Sequence, residues 1–405
     1  MLRCSRHLVV GLGGPLVAGL LTFNVGAEDG ELGSKQTGGR AETAPVATDR
    51  VSHGLDEPET RLMPAPLARG GVQPRRSFLT SEQMFTTRGG MAVDRQDRAA
   101  VAAFFDGYYT PNLNVPSGWT NGDIDNCQEG YTSQAYIDAT IELVNYFRAM
   151  VGLPSVVNQA SDNPGAQEAA MMMSRNGALS HDPPMTWHCY TAAGASSAGA
   201  SNLAIGITGP PTIPFYIYDP GSFNYGVGHR RWILYPPRTA MGTGSVPASS
   251  RGSYSAAQAL DVFGPTGSRP GTPTSVAWPP EGFVPYQLVY PRWSFALNVS
   301  YLSVHYDTAT VSMTQNDSAV GVTILDLYPD DPDYYSGDDT IVWEPDLGAF
   351  TIGPGMSDTT FEITVSGIGH ATSSVTYSVT IFDPATVGDQ IFVDGFESGN
   401  TSSWS

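Results

Sequence analysis

Apolar residues recur at helical spacing between Ser133 and Gly152. Ile137, Ile141, Val144 and Val151 form a stripe that Tyr136, Leu143 and Phe147 widen. The pattern predicts an amphipathic helix, with Ser133 as its N-cap and Gly152-Leu153-Pro154 as its stop. A second helix is predicted over "SDNPGAQEAAMMMSRNG", capped by Asn163, with Pro164 in its first turn and Gly177 at its end. Its Met171, Met172 and Met173 read as core filling and not as a ligand box. A shorter helix is expected within "DRQDRAAVAAFFDGYY", residues 94–109. Turn residues dominate 178–223. The stretches "GVGHRRWIL" (226–234) and "TAMGTGSV" (239–246) then read as strands, the second glycine-rich and so closely approached by another element. Alternation along the first would place Val227, His229, Arg231 and Ile233 on one face and Arg230, Trp232 and Leu234 on the other.

Beyond residue 270 the period changes to two. "TSVAWPP", "WSFALNVSYLSVHY", "ATVSMTQ", "VGVTILDLY", "DTIVWEP", "TTFEITVSGI" and "VTYSVTIFD" are β-branched and aromatic runs bounded by Gly, Pro, Asp and Asn. They predict an all-β, immunoglobulin-like sandwich over 270–385 that lacks the disulfide of antibody domains, because it contains no cysteine. Within it Asp326, Asp330, Asp331, Asp333, Asp338, Asp339, Glu344 and Asp346 gather with no basic residue between them. Such a stretch reads either as a solvated acidic loop or as a calcium site of carboxylate and carbonyl oxygens, although its spacing is not that of an EF-hand.

The two ends differ from the body. Arg3 and Arg6, an apolar run from Leu8 to Phe23 and then Val25-Gly26-Ala27 have the form of a secretory signal peptide over residues 1–27. The run is short for a membrane anchor, and no later segment is long and apolar enough to span a bilayer. Residues 28–98 carry scattered apolar positions without period and read as a disordered leader. At the other end, 386–405 form an acidic, serine-rich tail with Phe392, Phe396 and Trp404, either a frayed end or a segment read by an export or surface-attachment system.

Removing Arg3 and Arg6 leaves 18 basic against 39 acidic residues, a net charge of −21, with Lys35 the only lysine. A surface this acidic repels phosphate backbones, which argues against nucleic acid as a partner. Cys127 and Cys189 are the two cysteines left after the signal peptide. In an oxidising compartment they are expected to be bridged, with two buried thiols as the alternative.

Four elements between residues 99 and 250 resemble, in order, those of the CAP superfamily of cysteine-rich secretory, antigen 5 and pathogenesis-related proteins. "LVNYFRAMVGL" keeps the Asn-x-x-Arg spacing at Asn145 and Arg148, with Val144 where many members have His. "AQEAAMMMSRNGALSHDP" is similar to the alanine-rich helix followed by a histidine, here His181. "ASNLAIG" (200–206) is similar to the Gly-Glu-Asn-Leu element, and "GVGHRRWIL" to the Gly-His strand, with "AMGTGSV" after it. The resemblance implies an α-β-α sandwich domain over 99–250, in an exported bacterial protein, whose cleft is lined by His181 and His229. Members often add two glutamates to hold a divalent metal. Here Ser201 stands at one of those positions, and "FYIYDPGSFNYG" before the histidine lacks the other.

Two histidines alone do not make a zinc site, which takes three or four ligands. Asp219, His188 or Asp182 could supply a third, though "HDPP" and "YDPG" are also strong turn sequences. The other reading is a hydrogen-bonded histidine pair. Neither Ser180 nor Ser201 sits in a nucleophile elbow. Arg231 is expected beside His229 in the cleft, and Arg230 either along the apolar layer or paired with an acidic residue. Two functions follow. One is an extracellular module that binds a small-molecule or cell-envelope ligand in a cleft containing His181, His229, Arg231, Asp219, Ser201 and Asn202, with the sandwich for attachment. The other is a metal-assisted hydrolase of peptide or cell-wall material acting through His181 and His229.

Overall fold

Asp97 accepts hydrogen bonds from the backbone amides of Ala99 and Ala100, and this cap starts helix α1, Arg98–Phe104. In the computed structural model the residues described are 61–66, 68–69, 90–249, 253–300, 303–326, 334–335 and 337–387. The expected signal peptide, most of the leader, the tail beyond 387 and Asp330, Asp331 and Asp333 lie outside them.

In chain order the first half runs through the short strands β1 (Arg61–Leu62) and β2 (Ala68–Arg69), α1, a π-helical turn at Phe105–Tyr109 and α2 (Thr110–Asn112). The hairpin β3 (Thr120–Asp123) and β4 (Gln128–Tyr131) follows, then α3 (Gln134–Met150), β5 (Val157–Asn158), α4 (Asn163–Asn176) and α5 (Ala192–Ala198). After β6 (Ser201–Ile205) come α6 (Thr212–Tyr218), α7 (Gly228–Ile233), β7 (Ala240–Val246) and β8 (Ala257–Asp261). The sheet order β1-β6-β8-β7-β5 is antiparallel except for the β5–β7 pair. Helices cover both of its faces. Leu203, Val246, Ala257 and Ala259 pack with Ala166, Ala169, Ala170 and Met173 of α4. The alternate positions Ala204, Met241 and Leu260 join Val144, Phe147 and Met150 of α3 and Ile213 and Tyr216 of α6. A three-layer α-β-α arrangement results.

Both long helices form as the sequence predicts. Ser133 accepts a hydrogen bond from the Tyr136 amide to open α3, and Gly177 closes α4 at φ +60°. Met171, Met172 and Met173 are all buried in the core. Asn163 does not cap α4. Its Oδ1 accepts from the Thr243 amide on β7 instead, joining helix to sheet. The glycines of β7 are needed for that contact, because a Cβ on Gly244 would lie 2.1 Å from the Gln167 amide nitrogen.

The second half holds β9 (Ser275–Trp278), β10 (Gly282–Pro285), β11 (Trp293–Leu297), β12 (Thr310–Gln315), β13 (Ser318–Val320), β14 (Val322–Asp326), β15 (Tyr334–Tyr335), β16 (Ile341–Pro345), β17 (Thr359–Ser366) and β18 (Ser374–Phe382). Each of the seven β-patterned runs contains a strand. With β10 and β13 these strands form two sheets, β10-β18-β17-β12-β13 and β14-β16-β11-β9. Side chains from both meet where Trp293 packs edge-on against Phe361, 6.1 Å between ring centroids, and where Trp343 Nε1 donates to Met313 Sδ. The core continues into the first half, since Phe147 of α3 packs on Trp278 of β9 at 5.1 Å.

Two expectations fail. The segment 226–234 is a helix and not a strand. All of Val227 to Leu234 except Gly228 is buried, so no alternation exists for a strand to follow, and the Asp219 carboxylate accepts the His229 amide in the first turn of α7. The stretch expected as a disordered leader is built into the fold at residues 61–66, 68–69 and 90–98. Arg61 and Leu62 pair with Ile205 and Ala204 of β6, Ala65 and Pro66 are buried, and β2 pairs with β15.

Candidate functional site

His229, at the start of α7, has no solvent exposure. Asp219, ten residues earlier, holds it twice: Oδ2 accepts from the His229 amide at 2.9 Å and Oδ1 faces the ring Nδ1 at 2.7 Å. Asp219 reaches both because it ends α6 in the left-handed region, at φ +55°, a conformation that aspartate tolerates better than most residues. Arg292 Nη1 fixes it from behind by donating to its carbonyl at 2.7 Å. Tyr216 stacks on the imidazole, 5.2 Å between centroids and 13° from parallel, and its hydroxyl donates to the Asn202 carbonyl. Asn202 Nδ2 in turn donates to the His229 carbonyl at 3.1 Å. With Nδ1 on the carboxylate, Nε2 is left over. His229 Nε2 and Asn202 Oδ1 are buried with no hydrogen-bond partner, an uncommon condition for interior polar atoms.

His181 lies in the loop after α4. Its Nδ1 lies 2.8 Å from the Ala198 carbonyl and its Nε2 2.7 Å from the Pro64 carbonyl. A neutral imidazole has one N–H to give, so serving both oxygens takes the imidazolium. Burial opposes that charge and prevails. It holds the His181 imidazole below the usual histidine range, against the pull of the Ala198 and Pro64 carbonyls, and His229 adds to the lowering.

Pro64 belongs to a strap, residues 61–66, that lies along the edge of β6. Trp232 Nε1 of α7 donates to the Pro66 carbonyl at 2.6 Å, Leu62 packs against the core shared with α3, and Met63 packs against the α4 side. The strap therefore covers this side of His181, which is half-buried, while His229 is fully buried.

The remaining candidates are dispersed. Ser201 is buried on β6, and its Oγ has no partner. Arg231 does not flank His229. In a helix, positions two apart point in nearly opposite directions, and Arg231 Nε donates to the Asp338 carbonyl in the second half of the chain. Arg230 donates to the carbonyls of Ile217 and Arg292 and to Ser294 Oγ. Burial pulls its guanidinium down to about 9, with Asp219 acting the other way, so it is charged at neutral pH. The two arginines thus tie α7 to the β-rich half. A recess lined by Arg230, Arg231, Trp278, Ser294, Asp338 and Thr340 lies there, away from both histidines.

Metal ligation does not fit these residues. Both ring nitrogens of His181 face main-chain carbonyls, His188 and Asp182 are exposed, and among the described residues no three His, Cys, Asp or Glu side chains converge to hold an ion. The acidic stretch is likewise divided by basic partners from elsewhere in the chain. Asp338 pairs with both terminal nitrogens of Arg269, at 2.6 and 2.7 Å, and Glu344 faces Arg292 at 3.7 Å.

The Asn145 and Arg148 spacing has a structural cause. One helical turn apart on α3, Asn145 closes the following loop through the Val156 amide and carbonyl, and Arg148 donates to the carbonyls of Pro154, Ile233, Tyr235 and Arg238. Arg148 therefore fixes the end of α7 that follows His229. Residues 141–259, which hold this clamp, both histidines and β6 to β8, match the family model of the cysteine-rich secretory protein family, CAP.

The chain carries a CAP domain. Its matched part begins inside α3 and ends in β8. No curated protein matches the chain. The disulfide joins Cys127 in the β3–β4 hairpin, which precedes the matched residues, to Cys189 in the loop after His181, as expected. No helix among the described residues is long and apolar enough to cross a membrane. Sequence reasoning missed two parts of the CAP site. Tyr216 could have been found from its place one helical turn before Asp219. The strap had no side-chain signature, because its contacts to His181 and Trp232 are made by main-chain carbonyls.

Proposed function

We propose that this is an exported bacterial CAP-domain protein that acts as a binding module, with its ligand site at His181, His229, Asp219 and Asn202, and with an immunoglobulin-like sandwich serving attachment outside the cytoplasm. The observation that carries the reading is the pair of buried, partnerless acceptors, His229 Nε2 and Asn202 Oδ1, beside a strand edge that a strap covers. Fixed polar groups converging under a displaceable cover are what recognition of a ligand requires. The −21 charge keeps such a module soluble and away from nucleic acid. A small-molecule or cell-envelope ligand suits the site.

The test uses Leu62→Asp, which places a charge in the strap's apolar seat. Sedimentation with insoluble cell-envelope material should deplete this variant from the supernatant more than the unaltered chain. Adding Asn202→Leu should remove the difference while circular dichroism stays unchanged. Absence of depletion in all three would contradict the proposal.

A hydrolase is the second reading, favoured by the Asp219 carboxylate on His229 Nδ1, the arrangement that orients an imidazole as a general base. Turnover in a hydrolase screen that disappears in His229→Ala and survives chelator would support it. Chelator-sensitive turnover would favour the metal-assisted form, for which the residues present lack a third ligand.

A further inference from the structure

Without the strap, β6 would be the edge of its sheet. All five residues of β6 are buried, and an open strand edge is a template on which an extended segment adds by main-chain hydrogen bonding. Residues 61–66 occupy that template in a particular way. Arg61 and Leu62 continue the sheet antiparallel to β6. Past that point the chain leaves the ladder, and two side chains of the CAP domain read alternate carbonyls, His181 at Pro64 and Trp232 at Pro66. Neither contact needs a donor from the segment, so prolines are accepted at both positions. Pro64 is exposed, whereas Ala65 and Pro66 are buried, which selects a small residue followed by a compact apolar one. The stretch "RLMPAPLAR" carries two arginines and no acidic residue, in a chain of net charge −19. The overall field of so acidic a chain favours the approach of a basic segment over an acidic one.

We infer that the groove formed by the β6 edge, His181 and Trp232 is a binding site for extended, proline-containing, uncharged to basic peptides, and that residues 61–66 are its occupant in cis. This rests on the binding-module reading and names its ligand class. A tethered occupant competes at a high effective concentration, so a free peptide is admitted only when the strap is released.

The experiment starts from the full chain with a site-specific protease sequence inserted between Gly70 and Gly71. After cutting, the mixture is passed over a gel-filtration column, and the body is titrated with a fluorescein-labelled peptide of residues 58–70, read by polarisation with circular dichroism in parallel. The expected result is a folded body, free of its N-terminal fragment, that binds the peptide saturably, at least about a hundredfold better than the uncut chain. His181→Ala in the body should weaken binding about tenfold. Loss of the circular dichroism signal on release would overturn the inference, since the strap would then be an integral strand. A fragment that stays bound and does not exchange with excess labelled peptide would also overturn it. So would a folded body that leaves the peptide free. If that same body sediments with cell-envelope material, the binding module stands and the peptide class alone is wrong; if it binds neither, both readings fall.

Discussion

Replacing Asp219 tests how the histidine is held. In Asp219→Ala the His229 amide and its Nδ1–H lose their acceptors inside a fully buried site. A buried donor without a partner costs about 1–3 kcal/mol. Alanine at φ +55° adds about 1–2 kcal/mol of backbone strain that aspartate largely avoids. The expected loss is therefore about 3–8 kcal/mol, comparable with the whole stability of a typical domain. Asp219→Gly removes the strain and keeps the two orphaned donors, about 2–6 kcal/mol. Asp219→Asn keeps one carbonyl acceptor and tolerates the left-handed backbone, so it should lose about 1–3 kcal/mol. The assay is urea unfolding followed by tryptophan fluorescence, which buried Trp232 reports close to the site. The expected order of stability is Asp, Asn, Gly, Ala. Asparagine as damaging as alanine would refute the acceptor role of the carboxylate, and glycine no better than alanine would refute the strain.

Arg148→Met should cost about 3–5 kcal/mol, because four carbonyls lose a charged donor at once; Arg148→Lys should recover only part of it in the same assay, since one ammonium cannot span four acceptors. Opening the Cys127–Cys189 bridge, which closes a separation of 62 residues, should cost about 4 kcal/mol, read as a lower urea midpoint in a Cys127→Ser, Cys189→Ser double variant. His181 carries a pH dependence. Its folded pKa is lowered, chiefly by burial, then raised in part by the Ala198 and Pro64 carbonyls and lowered again by His229, so the unfolded chain binds this proton first. Stability from this group is full above the unfolded pKa of about 6.5, falls as pH drops below it, and levels off once the folded group protonates. Urea midpoints measured from pH 8 to pH 4 should fall less for His181→Gln than for the unaltered chain, and parallel curves would contradict the account.

Both long helices were legible because their stripes, caps and stops agree with one another, and β7 was legible because its glycines announce a close neighbour. The seven β-patterned runs stood out through their β-branched and aromatic residues and the turn residues that bound them; burial alternates plainly along β17 and β18, whereas β11 is buried throughout. Helix α7 was not legible. A segment buried all round carries no period, and what selects its conformation is a carboxylate ten residues away. The Asp219 stretch read as a strong turn sequence that could also supply a ligand, and it proved to be a left-handed helix end that carries the histidine's partner. The strap escaped notice because proline-bounded main chain, held by another element's donors, leaves no pattern of its own. Asp338 looked unpaired along the sequence since its partner, Arg269, lies 69 residues away.

Whether residues 61–66 cover the histidine pair is best measured by the reactivity of His181 toward diethyl pyrocarbonate, followed by peptide mass spectrometry. His188 and His305, both exposed, serve as references in the same sample. In the intact chain His181 should react far more slowly than these two and approach their rate once the chain is cut behind the strap, with His229 unreactive in both. Equal reactivity of His181 and His188 in the intact chain would contradict the account.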